Sequence, residues 1–141
     1  MPRIPNRSAL VLAAALIAAC SNSAVDVKDP DPPANVAGTF KGPFTSQRAA
    51  GTTYAATAVI DQNGRTLTGT FTATDNSGVA QIEGTVDKQR INATFRTSGT
   101  CPATITAVID AVTNDTVLVG TYTAQDCIGS YTGGFSLTKQ G

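Results

Sequence analysis

Three cysteines and ten acidic side chains are the residues of this 141-residue chain with the most scope for chemistry. The chain has no histidine, which excludes a Ser-His or Cys-His nucleophilic pair and an imidazole metal ligand. Asp61 with Asp75, or Asp110 with Asp126, are candidates for a paired-carboxylate site. Each lies at the end of an expected strand, where a solvated acid is the simpler interpretation. We therefore assign no catalytic residue, no metal site and no cofactor.

The first cysteine follows a basic start and a short apolar run. Met1–Arg7 carries two arginines and no acid, and Ser8–Ala19 is almost purely apolar. This run is shorter than the roughly 20 residues that a membrane-spanning helix needs, so the order is typical of a secretory signal peptide. Leu16–Cys20 resembles the bacterial lipobox, whose cysteine receives a diacylglycerol and becomes the mature N-terminus. The alternative is an ordinary cleaved signal peptide with a chance cysteine.

The lipobox resemblance implies a location and a domain organisation. Residues 1–19 are the expected signal peptide, and the lipid on Cys20 attaches the protein to a membrane of the bacterial cell envelope. Ser21 favours the outer membrane, because Asp at this place favours inner-membrane retention in enterobacterial lipoproteins. Residues 20–35 are rich in Pro and Asp and show no periodicity, which predicts a flexible tether. The folded domain is then expected over 36–141.

The remaining chain alternates with period two and repeats itself. In Thr66–Thr74, threonines occupy one face and apolar or small residues the other, as in a half-buried antiparallel strand. Thr57–Asp61 recurs as Thr106–Asp110, and Leu67–Asp75 recurs in similar form as Leu118–Asp126. The pattern therefore indicates two units of four strands each.

These units predict an all-β fold. We expect an eight-stranded antiparallel up-and-down barrel, because eight strands can close and remove both exposed edges. A β-sandwich is the alternative. Asn63 and Gly64 predict a type I′ turn between the second and third strands. The expected strands are 36–44, 54–62, 65–74, 78–87, 90–97, 103–110, 117–124 and 130–138.

The alternation also predicts which side chains point into the barrel. Many interior positions are small, which allows either close strand packing or a cavity for an apolar ligand; a filled core is the more usual outcome. The larger expected interior residues are Ile60, Leu67, Phe71, Ile82, Phe95, Ile109, Leu118, Tyr122, Tyr131 and Phe135.

Cys101 and Cys127 remain as an even pair in an oxidising compartment, which predicts a disulfide. The repeat sets Ile109 opposite Leu118, so the two cysteines fall one residue out of register and a bulge must absorb the difference. A redox-active pair would need a nearby positive charge, but no Lys or Arg lies within four residues of either cysteine. A structural bridge is therefore favoured.

A Gly- and Thr-rich sequence pattern is found in Leu67–Phe71 and in the closing segment Gly133–Leu137. This pattern resembles that of uncharacterised small bacterial lipoproteins, and more loosely that of avidin-like and lipocalin-like barrels. Avidins hold biotin with tryptophans, and this chain has none, so no biotin residue carries over. Without residues 1–19 the net charge is about −2, which argues against a nucleic-acid partner.

Three hypotheses for function follow. The first is a non-enzymatic envelope lipoprotein that binds another envelope protein or a surface polymer. The second is a lipocalin-like carrier of a small apolar ligand, which an interior cavity above about 300 Å³ would favour. The third, an enzyme, is disfavoured by the missing histidine and the scattered acids.

Overall fold

A single antiparallel sheet closes on itself in the computed structural model, which describes residues 31–74 and 78–141. The expected signal peptide, Cys20 and the tether up to residue 30 lie outside the described residues, as does Asp75. A short 3₁₀-helix, Gln47–Ala49, follows the first strand. The eight strands are β1 Gly38–Ser46, β2 Thr53–Asn63, β3 Thr66–Ala73, β4 Val79–Asp87, β5 Arg90–Thr97, β6 Thr104–Val112, β7 Val117–Gln125 and β8 Ser130–Lys139.

The strand order confirms the up-and-down barrel and rules out the sandwich. Each strand pairs antiparallel with the next along the chain, and β1 pairs with β8 to complete the closed barrel. No helix in the described part of the chain is long and apolar enough to cross a membrane.

The internal repeat is a structural one. Ile60 in β2 pairs with Gly69 in β3, and Ile109 in β6 pairs with Gly120 in β7. The two hairpins therefore place equivalent residues opposite each other, although the connection in the second unit is two residues longer.

The expected pairing of Ile109 with Leu118 is wrong by two positions. Leu118 instead pairs with Ala111. The expected register required a two-residue turn, whereas the chain turns over the four residues between Val112 and Val117. Three of these four residues have positive φ, and hairpin register follows turn length, so the longer turn shifts the ladder.

The turn between β2 and β3 also differs from the expectation. Asn63 pairs with Thr66, so Gly64 and Arg65 are the two turn residues. Of these only Gly64 has positive φ, at 59°, which is the type II′ pattern rather than type I′. The glycine occupies the one position where a side chain would be strained.

The barrel has two different ends. At one, which we call the base, lie the β2–β3, β4–β5 and β6–β7 turns together with the start of β1 and the end of β8. At the other, which we call the mouth, lie the remaining four connections. Nine-residue strands tilted in a barrel separate the two ends by roughly 20–25 Å.

The segment 31–37 crosses the base and contacts all three of its turns. The Ala34 N–H donates to the Lys88 carbonyl at 2.7 Å, and the Asn35 N–H donates to the Asp115 carboxylate at 3.0 Å. At the third turn, Arg65 donates to the Asp31 carbonyl at 3.0 Å. These contacts fix the segment as a cap over the base.

Val36 is the apolar part of this cap. Its side chain is 0% exposed and belongs to the core cluster, and Ala34 is buried beside it. The Gln62 side chain secures both residues, since its amide accepts from the Val36 N–H at 2.8 Å and donates to the Ala34 carbonyl at 2.9 Å. The packed structure thus begins before residue 36. The expected tether, residues 20–35, overlaps it at Ala34, whereas Val36 falls within the expected domain.

We expect the substitution Val36→Asp to lower the free energy of unfolding by about 3 kcal/mol or more, because it places an unpaired carboxylate in the core. Urea unfolding followed by circular dichroism measures the loss. Val119→Asp is the matched control, since this valine on β7 is 46% exposed and should cost no more than about 1 kcal/mol. Equal losses in the two variants would contradict the cap.

Candidate functional site

The mouth opens into a cavity of about 180 Å³, which we call the cup. Its walls are mainly aromatic. Small side chains, including Ala80 and Ala103, leave the space that the rings do not fill. The aromatic residues of the cup are Phe44, Phe71, Phe95, Tyr122, Tyr131 and Phe135.

Three phenylalanines form the floor of the cup. The Phe71 ring lies edge-to-face against Phe95, with centroids 5.5 Å apart, and 6.4 Å from the Phe135 ring. Below them the interior holds a void of only about 20 Å³ among aliphatic side chains. The lower half of the barrel is therefore filled and the upper half is hollow.

The structure places the predicted interior residues on both sides of this floor. Ile60, Leu67, Ile82, Ile109 and Leu118 are buried in the lower half. Phe95, Tyr122 and Phe135 are buried where they meet the cup, whereas Phe71 and Tyr131 are only partly buried and pack against the core.

Sequence reasoning missed the aromatic residues of β1. Phe40 is 0% exposed in the core, and Phe44 lines the cup with its ring 6.0 Å from that of Phe71. A signal was present, because Phe40, Gly42 and Phe44 repeat the apolar-x-Gly-x-apolar spacing seen in β3. Pro43 concealed it, since proline is unusual inside a paired strand.

An ion pair spans the rim of the cup. Arg48, in the 3₁₀-helix after β1, donates through both terminal nitrogens to the Asp126 carboxylate in the β7–β8 connection. Arg48 also donates to the Gly129 carbonyl at 2.9 Å, and its guanidinium lies 4.0 Å from the centroid of the Tyr131 ring. This arrangement clamps the β1–β2 connection to the β7–β8 connection.

Asp126 is held as an anion by this clamp. The Arg48 guanidinium, together with the N–H groups of Ile128 and Gly129, lowers the pKa of Asp126 to about 2 from an ordinary 3.8. Its side chain is 10% exposed, yet partial burial does not outweigh these hydrogen bonds. The charge at the rim is thus neutralised within the protein.

The acidic pair Asp110 and Asp126, considered from the sequence, is not brought together. Asp110 lies near the base and pairs with Arg90 at 3.1 Å, at the opposite end of the barrel from Asp126. Asp61 also lies toward the base, and its expected partner Asp75 is outside the described residues. Within residues 31–74 and 78–141, no group of three potential metal-ligating side chains forms.

The predicted cysteine pair is joined at the mouth. Cys101 and Cys127 form a disulfide with Cα atoms 5.3 Å apart, and Cys101 lines the cup. The bridge links the β5–β6 connection to the β7–β8 connection. It therefore anchors the loop that carries Asp126 from the side opposite to Arg48.

No protein-family model, no curated protein and no solved structure matches this chain.

We expect the double variant C101S/C127S to lose about 3–4 kcal/mol of unfolding free energy, because the bridge restricts a loop of 26 residues in the unfolded chain. Urea unfolding of the wild type with and without reductant, beside the double variant, measures this. Reduced wild type should match the variant. A loss below about 1 kcal/mol would mean that the bridge contributes little to global stability.

The low pKa of Asp126 predicts a specific dependence of stability on pH. Because the folded pKa is about 2 and the ordinary value is 3.8, the ionised clamp stabilises the fold fully above about pH 4. This contribution is lost as the pH falls toward 2. We expect the stability difference between wild type and Asp126→Asn to be constant from pH 5 to 8 and to shrink between pH 4 and 2. Arg48→Gln should show the same profile, and a difference independent of pH down to 2 would contradict the clamp.

Proposed function

We propose that this protein is a non-enzymatic, lipid-anchored binding module of the bacterial cell envelope, and that the cup at the mouth is its binding site. The observation that carries the proposal is the cup itself, an aromatic-lined cavity that leaves Phe71 and Tyr131 only partly buried in a barrel whose other half is filled. A pocket with mostly apolar walls and a few polar groups is the usual form of a ligand site.

The direction of the chain supports this use of the mouth. The described chain starts at Asp31 beside the base turns, where Lys88 pairs with it at 2.8 Å. An anchor at Cys20 would therefore attach the barrel by its base, and the mouth would point away from the membrane. A site at the far end of a tethered domain is open to partners in the surrounding space.

The chemistry of the rim supports binding rather than catalysis. The acid at the cup is saturated by hydrogen bonds from Arg48, Ile128 and Gly129, so it has little capacity to act as a general base. The disulfide occupies both remaining cysteines. Binding needs none of these groups to react.

The lipocalin-like carrier is the second candidate, because part of the barrel interior is hollow, but the size of the cavity counts against a large ligand. The cavity volume of about 180 Å³ is below the roughly 300 Å³ at which pockets begin to hold drug-sized ligands. A carrier with this cup would take a molecule much smaller than a fatty acid.

Two measurements test the proposal. In membrane fractions of cells that express the full chain, wild type should be labelled by a fatty-acid precursor and Cys20→Ser should not. For the site, p-benzoylphenylalanine is placed at Ile128, which is 80% exposed at the mouth, or at Val112, which is 40% exposed near the base.

After irradiation in living cells, we expect adducts from the Ile128 position and few from the Val112 position. Equal labelling at both positions would show that the mouth is not a preferred site. An unlabelled wild type would overturn the lipid anchor.

A further inference from the structure

We propose that the cup holds one small uncharged aromatic ring, of the phenol or indole class. This inference rests on the proposed function, since it names the ligand of the same site. Four properties of the cup lead to it: its volume, the geometry of its walls, the balance of charge at its rim, and the two hydroxyl groups beside the opening.

The volume fits one ring. An engineered apolar cavity of about 150 Å³ binds benzene, which sets the scale for a cup of about 180 Å³. The floor of Phe71, Phe95 and Phe135 prevents a longer molecule from entering the lower half, where only about 20 Å³ is empty. A long acyl chain has no path into the barrel.

The aromatic lining of the cup, floor and walls together, favours a ligand ring over an aliphatic group. Phe71 lies edge-to-face with both Phe44 and Phe95, at interplanar angles of 83° and 84°. Tyr122 and Tyr131 form a third perpendicular pair, at 89°. A ligand ring in the cup meets faces and edges of neighbouring rings at once, and aromatic pairs prefer this arrangement.

The rim selects against charged ligands. Arg48 and Asp126 neutralise each other across the opening, so neither is available to a ligand charge without breaking the clamp. The guanidinium of Arg48 already occupies the face of Tyr131, where an ammonium ligand would otherwise bind. A charged group taken into this apolar cup would lose its hydration with no new partner.

Two hydroxyl groups at the rim supply a polar contact. Ser46 Oγ accepts from the Arg48 N–H, and Thr97 Oγ1 accepts from the Ala103 N–H at 2.7 Å. Each hydroxyl also carries a hydrogen to donate and a further lone pair, and both residues line the cup. A ring with one hydroxyl or N–H group can therefore bury its body and bond its polar edge at the opening.

The test is a titration of the purified domain, residues 31–141 with the disulfide intact, by NMR with ¹³C-labelled methyl groups. The probes are indole and p-cresol, with zwitterionic tryptophan and palmitate as comparison ligands. Methyl signals of Ala80, Ala103 and Ile105 report on the cup, and those of Ile60 and Leu118 report on the filled half.

We expect indole and p-cresol to shift the cup signals in a saturable manner and to leave the signals of the filled half in place. Tryptophan should bind at least about tenfold more weakly, and palmitate should give no saturable shift. Ala80→Phe, which fills the cup, should weaken p-cresol binding by at least about tenfold. Gln81→Phe is the matched control, since this neighbour is exposed on the outer face and should bind p-cresol like wild type. Circular dichroism confirms that both variants are folded.

The outcomes separate this inference from the proposed function. If neither indole nor p-cresol binds but cross-linking at Ile128 persists, the ring proposal is wrong and the mouth binds a macromolecule. If palmitate or tryptophan binds as tightly as indole, the stated size or charge selection is wrong. If ring binding and mouth cross-linking are both absent, the two proposals fail together.

Discussion

Closure of the sheet between β1 and β8 is the constraint on which the rest of the structure depends. Because every strand is paired on both sides, one face of each must point inward, and period-two alternation then decides which residues become core. The β1–β8 ladder is interrupted at Gly42 and Pro43, where proline has no N–H to contribute. The two strands still approach closely there, because a side chain at Gly42 would collide with the Ser136 carbonyl. Nearby, the Tyr122 hydroxyl donates to the Thr45 carbonyl at 2.8 Å from inside the barrel, which ties β7 to β1 across β8.

The sizes of the inward-pointing residues then divide the closed interior into a filled half and a hollow half. Toward the base, branched aliphatic side chains alternate with glycine and alanine, and the strands approach so closely that a side chain at Gly69 would collide with the Val59 carbonyl. Toward the mouth the inward positions combine aromatic rings with small side chains such as Ala80 and Ala103, which leave the space that the rings do not fill. The hollow end is thus a product of composition along each strand, with Phe71 at the boundary between the two halves.

Much of the architecture could be read from the sequence because it depends on local alternation. Leu67 and Leu118 sit at equivalent places in a repeated unit, and both are buried. The strand register was harder to predict from the sequence, since the four-residue turn before Val117 depends on backbone angles that the Thr-Asn-Asp composition does not specify. The clamp could not be predicted from the sequence for another reason. Arg48 and Asp126 are 78 residues apart, and only the closed barrel brings them together. Ala34 was missed because it lies in the Pro- and Asp-rich run, which carries no period.

The cap over the base gives the molecule a defined response to mechanical load. Tension applied through the chain before Asp31 reaches the contacts of Asp31 with Arg65 and Lys88 first and the hydrogen bonds of Ala34 and Val36 next, so these contacts break one after another. Beyond Gly38 the force meets β1, which is bonded on both sides and must be sheared past β2 and β8 together. The cap therefore detaches before the barrel unfolds. A pull that removes it exposes the lower core but leaves the cup, at the far end of the barrel, folded.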